Sequence, residues 1–248
     1  MSDWLTGVTR GLAAAGVNSW GVADGAAYQE LLPGCRSVVV FASGGQALWE
    51  AFTAELAARP EALSGEDHPV DQFVAGAIRA ADPNPEGRRW VRCAGDAETF
   101  VDFRPLALAA GLGRHGKLGL LMHPRFGPWM GLRAACFTTA ALPTTGPLAG
   151  DGPCAGCTAP CIPACPGGAM STSGIDIRTC AASHQTSEAC ARTCHSREAC
   201  PEGAGHAYVR EQLDYHYDRA SGRKALAERF RIDDPRSGAG PFWSAWSG

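Results

Sequence analysis

The sequence lacks an excess of basic residues, basic runs and long apolar segments. Its 248 residues contain 22 Lys and Arg against 25 Asp and Glu, for a formal net charge of −3. No run of Lys or Arg creates a local basic patch, so we expect no nucleic-acid partner. No apolar stretch approaches the roughly 18–20 residues of a membrane span, so we expect no membrane partner either.

The beginning of the chain lacks the pattern of an exported protein. It reads Met-Ser-Asp-Trp-Leu-Thr, with no basic region followed by an apolar run, and this is not a secretory signal. Eleven cysteines without such a signal indicate a reducing compartment. We therefore expect a cytoplasmic protein.

Eight of the eleven cysteines lie between residues 154 and 200, in two groups of four that each end in Cys-Pro. The first group is Cys154, Cys157, Cys161 and Cys165, and the second is Cys180, Cys190, Cys194 and Cys200. Two thiolates spaced like the first pair can bind one cluster if the backbone curls around it, and Gly156 removes a Cβ from that curl. This pattern is typical of two 4Fe–4S clusters, in which the last cysteine of a group binds the other cluster.

Three other interpretations of the cysteines stay open from the residues alone. Structural zinc also uses paired thiolates, but the double Cys-Pro ending favours clusters. Disulfides are disfavoured by the odd total and by the single dense segment. A single cluster is the third alternative.

Apolar periodicity and turn residues predict alternating helices and strands. The expected helices are 3–15, 46–58, 69–81 and 104–110, and the expected strands are 19–23, 37–42, 89–94, 118–122 and 129–138. Asp67 or His68 would cap the third helix, with Pro69 at its first position. A Pro-, Thr- and Gly-rich linker follows at 140–153, then a charged helical stretch at 206–230 and a tail carrying Phe242, Trp243 and Trp246.

The segment from 111 to 138 combines several glycines with a turn rich in binding chemistry, His123-Pro124-Arg125-Phe126-Gly127. The run 121–129, Leu-Met-His-Pro-Arg-Phe-Gly-Pro-Trp, resembles the central hairpin of the CblC-type cobalamin-processing proteins, and Pro69-Val70-Asp71-Gln72 also matches theirs. The cysteine segment is similar to that of epoxyqueuosine reductase and the corrinoid reductive dehalogenases. Those proteins also share the pattern Ala-Gly-Leu-Gly at 110–113 and Gly-Lys at 116–117.

The resemblance implies an α+β fold made of a nitroreductase-like corrinoid-binding domain and a C-terminal ferredoxin-like module with two 4Fe–4S clusters. The implied domains are residues 1–145 for the corrinoid, 150–205 for the clusters, and 206–248 for a C-terminal helix and aromatic tail. The cluster nearer the corrinoid would be held by Cys154, Cys157, Cys161 and Cys200, and the outer one by Cys165, Cys180, Cys190 and Cys194.

The resemblance also implies residues for the corrinoid, which we take to be cobalamin. They are Gly113, Gly116, Lys117, Gly119, Leu120, Met122, His123, Arg125, Phe126, Gly127, Trp129 and Arg133. Gly119 would allow close backbone approach to the macrocycle, and Arg133 matches a position for a thiol cosubstrate. Asp102 matches the proton-donating acid of epoxyqueuosine reductase.

Other residues of these types are expected to have structural roles. We expect His123 to be a hydrogen-bonding turn residue rather than an axial ligand. We expect Cys35, Cys93 and Cys136 to be small core residues.

The function that follows is a corrinoid-dependent iron–sulfur oxidoreductase, which reduces bound cobalamin or removes its upper ligand. A ferredoxin or flavodoxin is the expected electron donor, and a homodimer is one option for its assembly. Two alternatives stay open: a non-catalytic corrinoid carrier or redox sensor, and an electron-transfer protein that binds another tetrapyrrole such as haem. Epoxyqueuosine reduction itself is less expected, because the hairpin is closer to the cobalamin-processing type.

Overall fold

The computed structural model describes residues 3–66, 68–94 and 99–234. They form two compact units, each built from separate stretches of chain. The first unit is Met1–Phe52, Val70–Arg114 and Met130–Asp151, and the second is Thr53–Pro69, His115–Trp129 and Gly152–Gly248. The domains expected from the sequence differ from these units in placing 115–129 with the first part of the chain. In the structure this segment packs with the cysteine segment.

Helices and strands are mixed in the first half of the chain, and the described residues after 175 form helices and turns. The helices are α1 (Asp3–Ala14), α2 (Ala47–Ala58), α3 (Pro69–Ala81), α4 (Phe103–Ala109), α5 (Ile177–Thr186), α6 (Glu188–Ala191), α7 (His195–Glu198), α8 (Arg210–His216) and α9 (Arg219–Phe230). The strands are β1 (Ser19–Asp24), β2 (Ser37–Gly44), β3 (Arg88–Arg92), β4 (Arg114–His115), β5 (Leu121–Met122), β6 (Met130–Thr138), β7 (Met170–Ser171) and β8 (Gly174–Ile175). Short 3₁₀ turns lie at Ala26–Tyr28, Pro60–Ala62 and Ala204–His206.

The first unit is built on an antiparallel sheet with the strand order β1-β2-β6-β3. Every residue of β2 is buried, which explains why its sequence is a continuous β-branched and aromatic run. Its register pairs Val39 with Cys136 of β6, and a bulge lies between Phe41 and Ala42. The predicted strand at 37–42 is thus confirmed as a central strand of the sheet.

Helix α1 confirms the amphipathic pattern at the start of the chain. Leu5, Val8 and Leu12 lie on its buried face. Gly16 follows the helix with φ of +78°, and a Cβ there would lie 2.4 Å from the backbone of Ala47. Only glycine fits this ending, because it needs both positive φ and close approach of α2.

The core of the second unit surrounds several of the cysteines. Leu118 and Met122 pack with Ala159, Cys161 and further residues of one apolar cluster. The other buried members are Met170 and Cys200, with Ile162, Cys165 and Ile175 packed against them. The segment 115–129 therefore contributes side chains to the same core as the cysteines.

The charged stretch expected at 206–230 is helical but divided. A 3₁₀ turn precedes α8, and α9 begins only after Tyr217 and Asp218. The two helices pack closely, since a Cβ on Gly222 would lie 2.3 Å from the carbonyl of Asp214. Arg223 forms an ion pair with Asp234, and both side chains are almost fully buried.

The predicted hairpin of 118–122 and 129–138 is not formed as expected. Strand β5 pairs with β4, while β6 belongs to the four-stranded sheet. Only an isolated bridge links His123 to Gly127. Pro128 has no N–H to continue a ladder, and its carbonyl accepts two hydrogen bonds from Arg197 at 3.1 and 2.7 Å.

Some predictions fall on residues that the structure does not describe. They are the proposed cap Asp67 and the tail residues Phe242, Trp243 and Trp246. Across the described ranges, no helix combines the length and the apolar character needed to cross a bilayer.

Candidate metal centres

One group of four cysteines lines a cavity in the second unit. The four are Cys154, Cys157, Cys161 and Cys200. The cavity encloses about 330 Å³, part of it open to solvent, and Leu118, Met122 and several prolines complete most of its wall. Lys117 and Glu202 contribute one charge of each sign. We call these four cysteines the first set.

Backbone N–H groups point at the sulfurs of the first set. The N–H of Lys117 donates to Sγ of Cys154 at 3.4 Å, and that of Ala159 donates to Sγ of Cys157 at 3.4 Å. Ala159 has a φ of +56°, which is unusual for a residue with a Cβ. Hydrogen bonds of this kind orient thiolate ligands and change the potential of a bound cluster.

Gly156 is required for a different reason from the one expected. A Cβ at this position would meet nothing within 4 Å, so close approach is not the constraint. Its φ is +71°, a conformation that glycine adopts at little cost. The turn between Cys154 and Cys157 therefore needs glycine for its backbone angle.

The other four cysteines, which we call the second set, also lie together in the second unit. They are Cys165, Cys180, Cys190 and Cys194. Burial raises the pKa of Cys180 to about 11, with further contributions from the thiolates of Cys194, Cys165 and Cys190. Cys190 is buried, Cys194 is the N-cap of α7, and Sγ of Cys165 accepts from the N–H of Ala169 at 3.3 Å.

The pKa shifts record the same grouping in the first set. Burial raises the pKa of Cys161, and the thiolates of Cys154 and Cys157 raise it further. Burial likewise raises the pKa of Cys200, with Cys161 and Cys154 acting in the same direction. Crowded thiolates repel one another, and a bound cation would favour their deprotonated form.

All eleven cysteines are free thiols in this structure. Within the described residues, no three His, Cys, Asp or Glu side chains come close enough to one point to hold a single metal ion. The donor sets themselves suit iron–sulfur clusters, since each offers four thiolates and one of them encloses an apolar cavity.

Three of the glycines expected at the corrinoid pack closely against side chains and backbone of the second unit. A Cβ on Gly119 would lie 2.7 Å from Cγ2 of Ile175, and one on Gly116 would lie 2.4 Å from Cγ of Met122. A Cβ on Gly127 would lie 2.1 Å from the carbonyl oxygen of Glu202. Internal packing accounts for these glycines, and the expected role of Gly119 beside the corrinoid stays a prediction.

His123 organises the turn that follows β5. Its Nδ1 accepts hydrogen bonds from the N–H groups of Arg125 and Phe126 at 3.0 and 3.2 Å. Burial, assisted by the charges of Arg125 and His206, lowers the pKa of His123 to about 4. A neutral imidazole with Nδ1 as acceptor is the turn residue that we expected from the sequence.

The remaining predicted corrinoid residues of the second unit divide into buried and exposed ones. Met122, Phe126 and Trp129 are at most 3% exposed. Leu120 is 40% exposed, and Arg125 is exposed with its guanidinium over the Phe126 ring. Thus three of these side chains form the interior of the unit rather than an open surface.

Trp129 has an unusual environment. Its ring lies under the guanidinium of Arg197 at 4.4 Å and packs edge-on against Tyr208. Its indole Nε1 is buried without a hydrogen-bond partner. The rings of Trp129 and Tyr208 therefore pack against Arg197 of α7, the helix whose N-cap residue is Cys194 of the second set.

Gly113, Arg133 and Asp102 lie in the first unit. Gly113 is buried. Nε of Arg133 donates to Oγ of Ser43 at 2.7 Å. Asp102 is the N-cap of α4 and accepts from the N–H of Arg104 at 3.1 Å. This cap gives Asp102 a structural role, and its carboxylate is partly exposed.

A second cavity, in the first unit, was not expected from the sequence. Arg133, Cys93 and Asp71 line it together with Arg92. Cys35 and Cys136 are buried as expected, but Cys93 is exposed rather than a core residue. The residue as a whole is exposed, but it lines the cavity, where partial desolvation raises the pKa of Cys93 and the charge of Arg133 lowers it. Its position directly after a strand was the available signal.

The fold defines a class of protein: a mixed α/β chain built like epoxyqueuosine reductase. No protein-family model matches the sequence, and no curated protein matches it.

Three solved structures illustrate the similarity. A selenomethionine-labelled epoxyqueuosine reductase is 15% identical, with a TM-score of 0.57 over 95% of this chain and 79% of that chain. An epoxyqueuosine reductase with an epoxyqueuosine-modified tRNA-Tyr stem loop is 16% identical, with a TM-score of 0.55 over 83% of this chain and 67% of that chain. A reductive dehalogenase, described as B12-dependent, is 17% identical, with a TM-score of 0.45 over 86% of this chain and 34% of that chain.

These similarities support the expected fold at its coarser level. The epoxyqueuosine reductases, which the sequence also resembled, share this fold. A fusion to a CblC-type protein is not shown. One epoxyqueuosine reductase is seen with a tRNA stem loop. The net charge of −3 therefore does not decide whether this chain meets a nucleic acid.

Proposed function

We propose that this protein is an iron–sulfur, corrinoid-dependent oxidoreductase. It would bind two 4Fe–4S clusters in its second unit and pass electrons to a bound cobalamin, which it reduces or frees of its upper ligand. A ferredoxin or flavodoxin would supply the electrons. The single observation that carries the proposal is the gathering of eight cysteines into two sets of four, one of which lines a cavity.

The proposal assigns a set of ligands to each cluster. Cys154, Cys157, Cys161 and Cys200 would hold the one nearer the corrinoid, and Cys165, Cys180, Cys190 and Cys194 the outer one. The grouping supports this crossover, because Cys200 lies with the first set and Cys165 with the second. When bound, such clusters accept and release single electrons.

The protein's own residues prepare these sites. Leu118 and Met122 give the first set an apolar wall, and an apolar shell limits solvent access to a cluster. The N–H groups of Lys117 and Ala159 point at two of its sulfurs and would stabilise the charge of the thiolates. Met122 and Lys117, expected at the corrinoid, are thus also part of the wall of the first set.

The corrinoid part of the proposal has separate support. It rests on the resemblance of the 121–129 run to cobalamin-processing proteins and on the epoxyqueuosine reductase fold. Asp102 is the proposed proton donor, since its carboxylate is partly exposed on the cap of α4. Among the proposed contact residues, Leu120 and Arg125 have exposed side chains, and Arg133 lines a cavity of the first unit.

The test is purification without air, followed by iron and sulfide analysis and absorption spectra before and after addition of cobalamin. We expect about eight irons per chain and a spectral change on binding. With a low-potential donor, alkyl- or cyanocobalamin should then lose its upper ligand over many turnovers. Zinc or no metal in place of iron would contradict the proposal at its base.

The other outcomes separate the alternatives. Stoichiometric binding of cobalamin without loss of the ligand would indicate a carrier or redox sensor. Iron without any response to cobalamin would indicate an electron-transfer protein, and haem should then be titrated in the same way. Reduction of an epoxyqueuosine-modified stem loop, the RNA present in one neighbour's complex, would indicate a tRNA-modifying enzyme.

A further inference from the structure

The spacing of the last cysteines departs from that of bacterial ferredoxins. In the bacterial run, C-x₂-C-x₂-C-x₃-C-P, three residues precede the final Cys-Pro. In this chain residues 195–199 separate Cys194 from Cys200. The longer spacing accommodates α7, which has Cys194 at its N-cap position and Arg197 as its third residue.

Aromatic rings enclose the guanidinium of Arg197. Its Cζ lies 4.4 Å from the centre of the Trp129 ring and 4.6 Å from that of Tyr208. Its Nη1 donates to the hydroxyl of Tyr217 at 3.4 Å. The carbonyl of Pro128 accepts from Nε and Nη2 at 3.1 and 2.7 Å. The cation is thus fixed in one place by neutral partners.

No carboxylate pairs with Arg197 in the part of the chain that the structure describes. Its neighbour Glu198 instead contacts His195 at 3.6 Å and accepts from Oγ1 of Thr193 at 2.6 Å. A partly enclosed cation without a counter-ion is costly unless an anion lies nearby. The nearby groups that a cluster would make anionic are the cysteines of the second set. The N–H of Arg197 donates to the carbonyl oxygen of Cys194 at 2.9 Å. The ring of Tyr217, whose hydroxyl accepts from the guanidinium, stacks on His184 of α5, the helix that also carries Cys180.

We propose that Arg197 is the counter-ion of the cluster bound by the second set and raises its reduction potential. The inference rests on the proposed function, since it requires a cluster at these cysteines. Reduction adds one negative charge to the cluster, so a fixed positive charge stabilises the reduced form more than the oxidised one. The cavity of the first set has no equivalent excess of positive charge, because the charges of Lys117 and Glu202 in its lining are opposite.

The test compares cluster potentials in Arg197→Gln and in the unaltered protein, by redox titration followed by electron paramagnetic resonance. We expect Arg197→Gln to lower the equilibrium constant for one-electron reduction of one cluster about tenfold. This corresponds to a reduction potential lower by about 59 mV. The shifted signal should be the one that Cys190→Ser abolishes. The other cluster should keep its potential.

Two further variants keep the inference testable. Arg192→Gln removes a neighbouring but exposed arginine, which pairs with Asp214 at 3.1 Å, and should leave both potentials unchanged. Arg197→Lys retains the charge and should shift the potential less than Arg197→Gln does. If the glutamine variant does not fold, the test is whether the lysine variant keeps a potential close to that of the wild type. Equal potentials in Arg197→Gln and wild type, with iron content intact, would overturn the inference alone. Wild-type protein without iron would overturn the proposed function as well.

Discussion

At the scale of single residues, Gly156 makes a prediction that separates backbone angle from space. Its φ is +71° and no atom occupies the place of a Cβ. In Gly156→Ala the left-handed conformation should cost about 1–2 kcal/mol. The turn between Cys154 and Cys157 should therefore hold its cluster less firmly, with lower iron content and a lower midpoint of thermal unfolding.

A control for this variant is Gly205→Ala. Gly205 also has open space at its Cβ position, but its φ is not in the left-handed region. It should keep the iron content of the wild type. Equal effects of the two substitutions would show that the backbone angle at Gly156 is not what matters.

His123 predicts a dependence of stability on pH. Its pKa falls from 6.5 to about 4 in the folded protein, so between these values the unfolded chain binds a proton that the folded chain does not. The contribution of His123 is complete above pH 6.5 and is lost as the pH falls towards 4. His123→Asn keeps an acceptor for the same N–H groups and cannot titrate, so it should flatten this part of the profile.

The measurement is urea unfolding at a series of pH values between 4 and 7. Wild-type protein should lose more stability than His123→Asn across that range. An identical slope in both proteins would mean that folding does not change the pKa of His123.

At the scale of elements, the turn after β5 packs directly on the chain that follows Cys200. Each of the two segments has a glycine at the contact. A Cβ on Gly127 would lie 2.1 Å from the carbonyl oxygen of Glu202, and a Cβ on Gly203 would lie 2.2 Å from the carbonyl oxygen of Phe126. Gly127→Ala should push this segment away from Cys200. We expect weakened occupancy of the first set, with the signal of the second set retained.

The matched control is Gly150→Ala. Gly150 has a φ of +82° but nothing within 4 Å of the Cβ position, so it tests the cost of the angle without the collision. Its cluster signals should remain those of the wild type. Loss of both clusters in Gly127→Ala would instead mean that the turn supports the whole unit.

At the scale of the whole molecule, the two cysteine sets should be separable. Cys157→Ser removes one thiolate of the first set and Cys190→Ser one of the second. Each variant should lose about half of the iron, and their remaining paramagnetic signals should differ. Cys93→Ser, outside both sets, should keep the full iron content.

These three variants also test whether corrinoid binding and electron delivery to the corrinoid depend on the same cysteines. Corrinoid binding should persist in Cys157→Ser while electron delivery fails. If either serine variant loses all of its iron, the two sets do not fold or bind independently. Zinc in any of them would redirect the assignment of the site.

Much of the fold followed from local patterns. The continuous apolar run of β2 and the spacing of Leu5, Val8 and Leu12 predicted elements that the structure confirms, because periodic burial leaves a direct trace in sequence. The predicted pairing of β5 with β6 failed, because β6 pairs instead with β2 and β3, and β2 lies far from it in the sequence. No local pattern contains such a contact.

The sequence by itself determined which residues could bind metal, since thiolates at close spacing and Cys-Pro endings are local features. It also determined the apolar strands and helices that form the frame. Only the tertiary structure decided that Leu118 and Met122 share a core with the first set, that the glycines of 116–127 pack against their own unit, and that Arg197 lies between the rings of Trp129 and Tyr208. These results depend on which distant segments share a core, and that is settled by packing rather than by the order of residues along the chain.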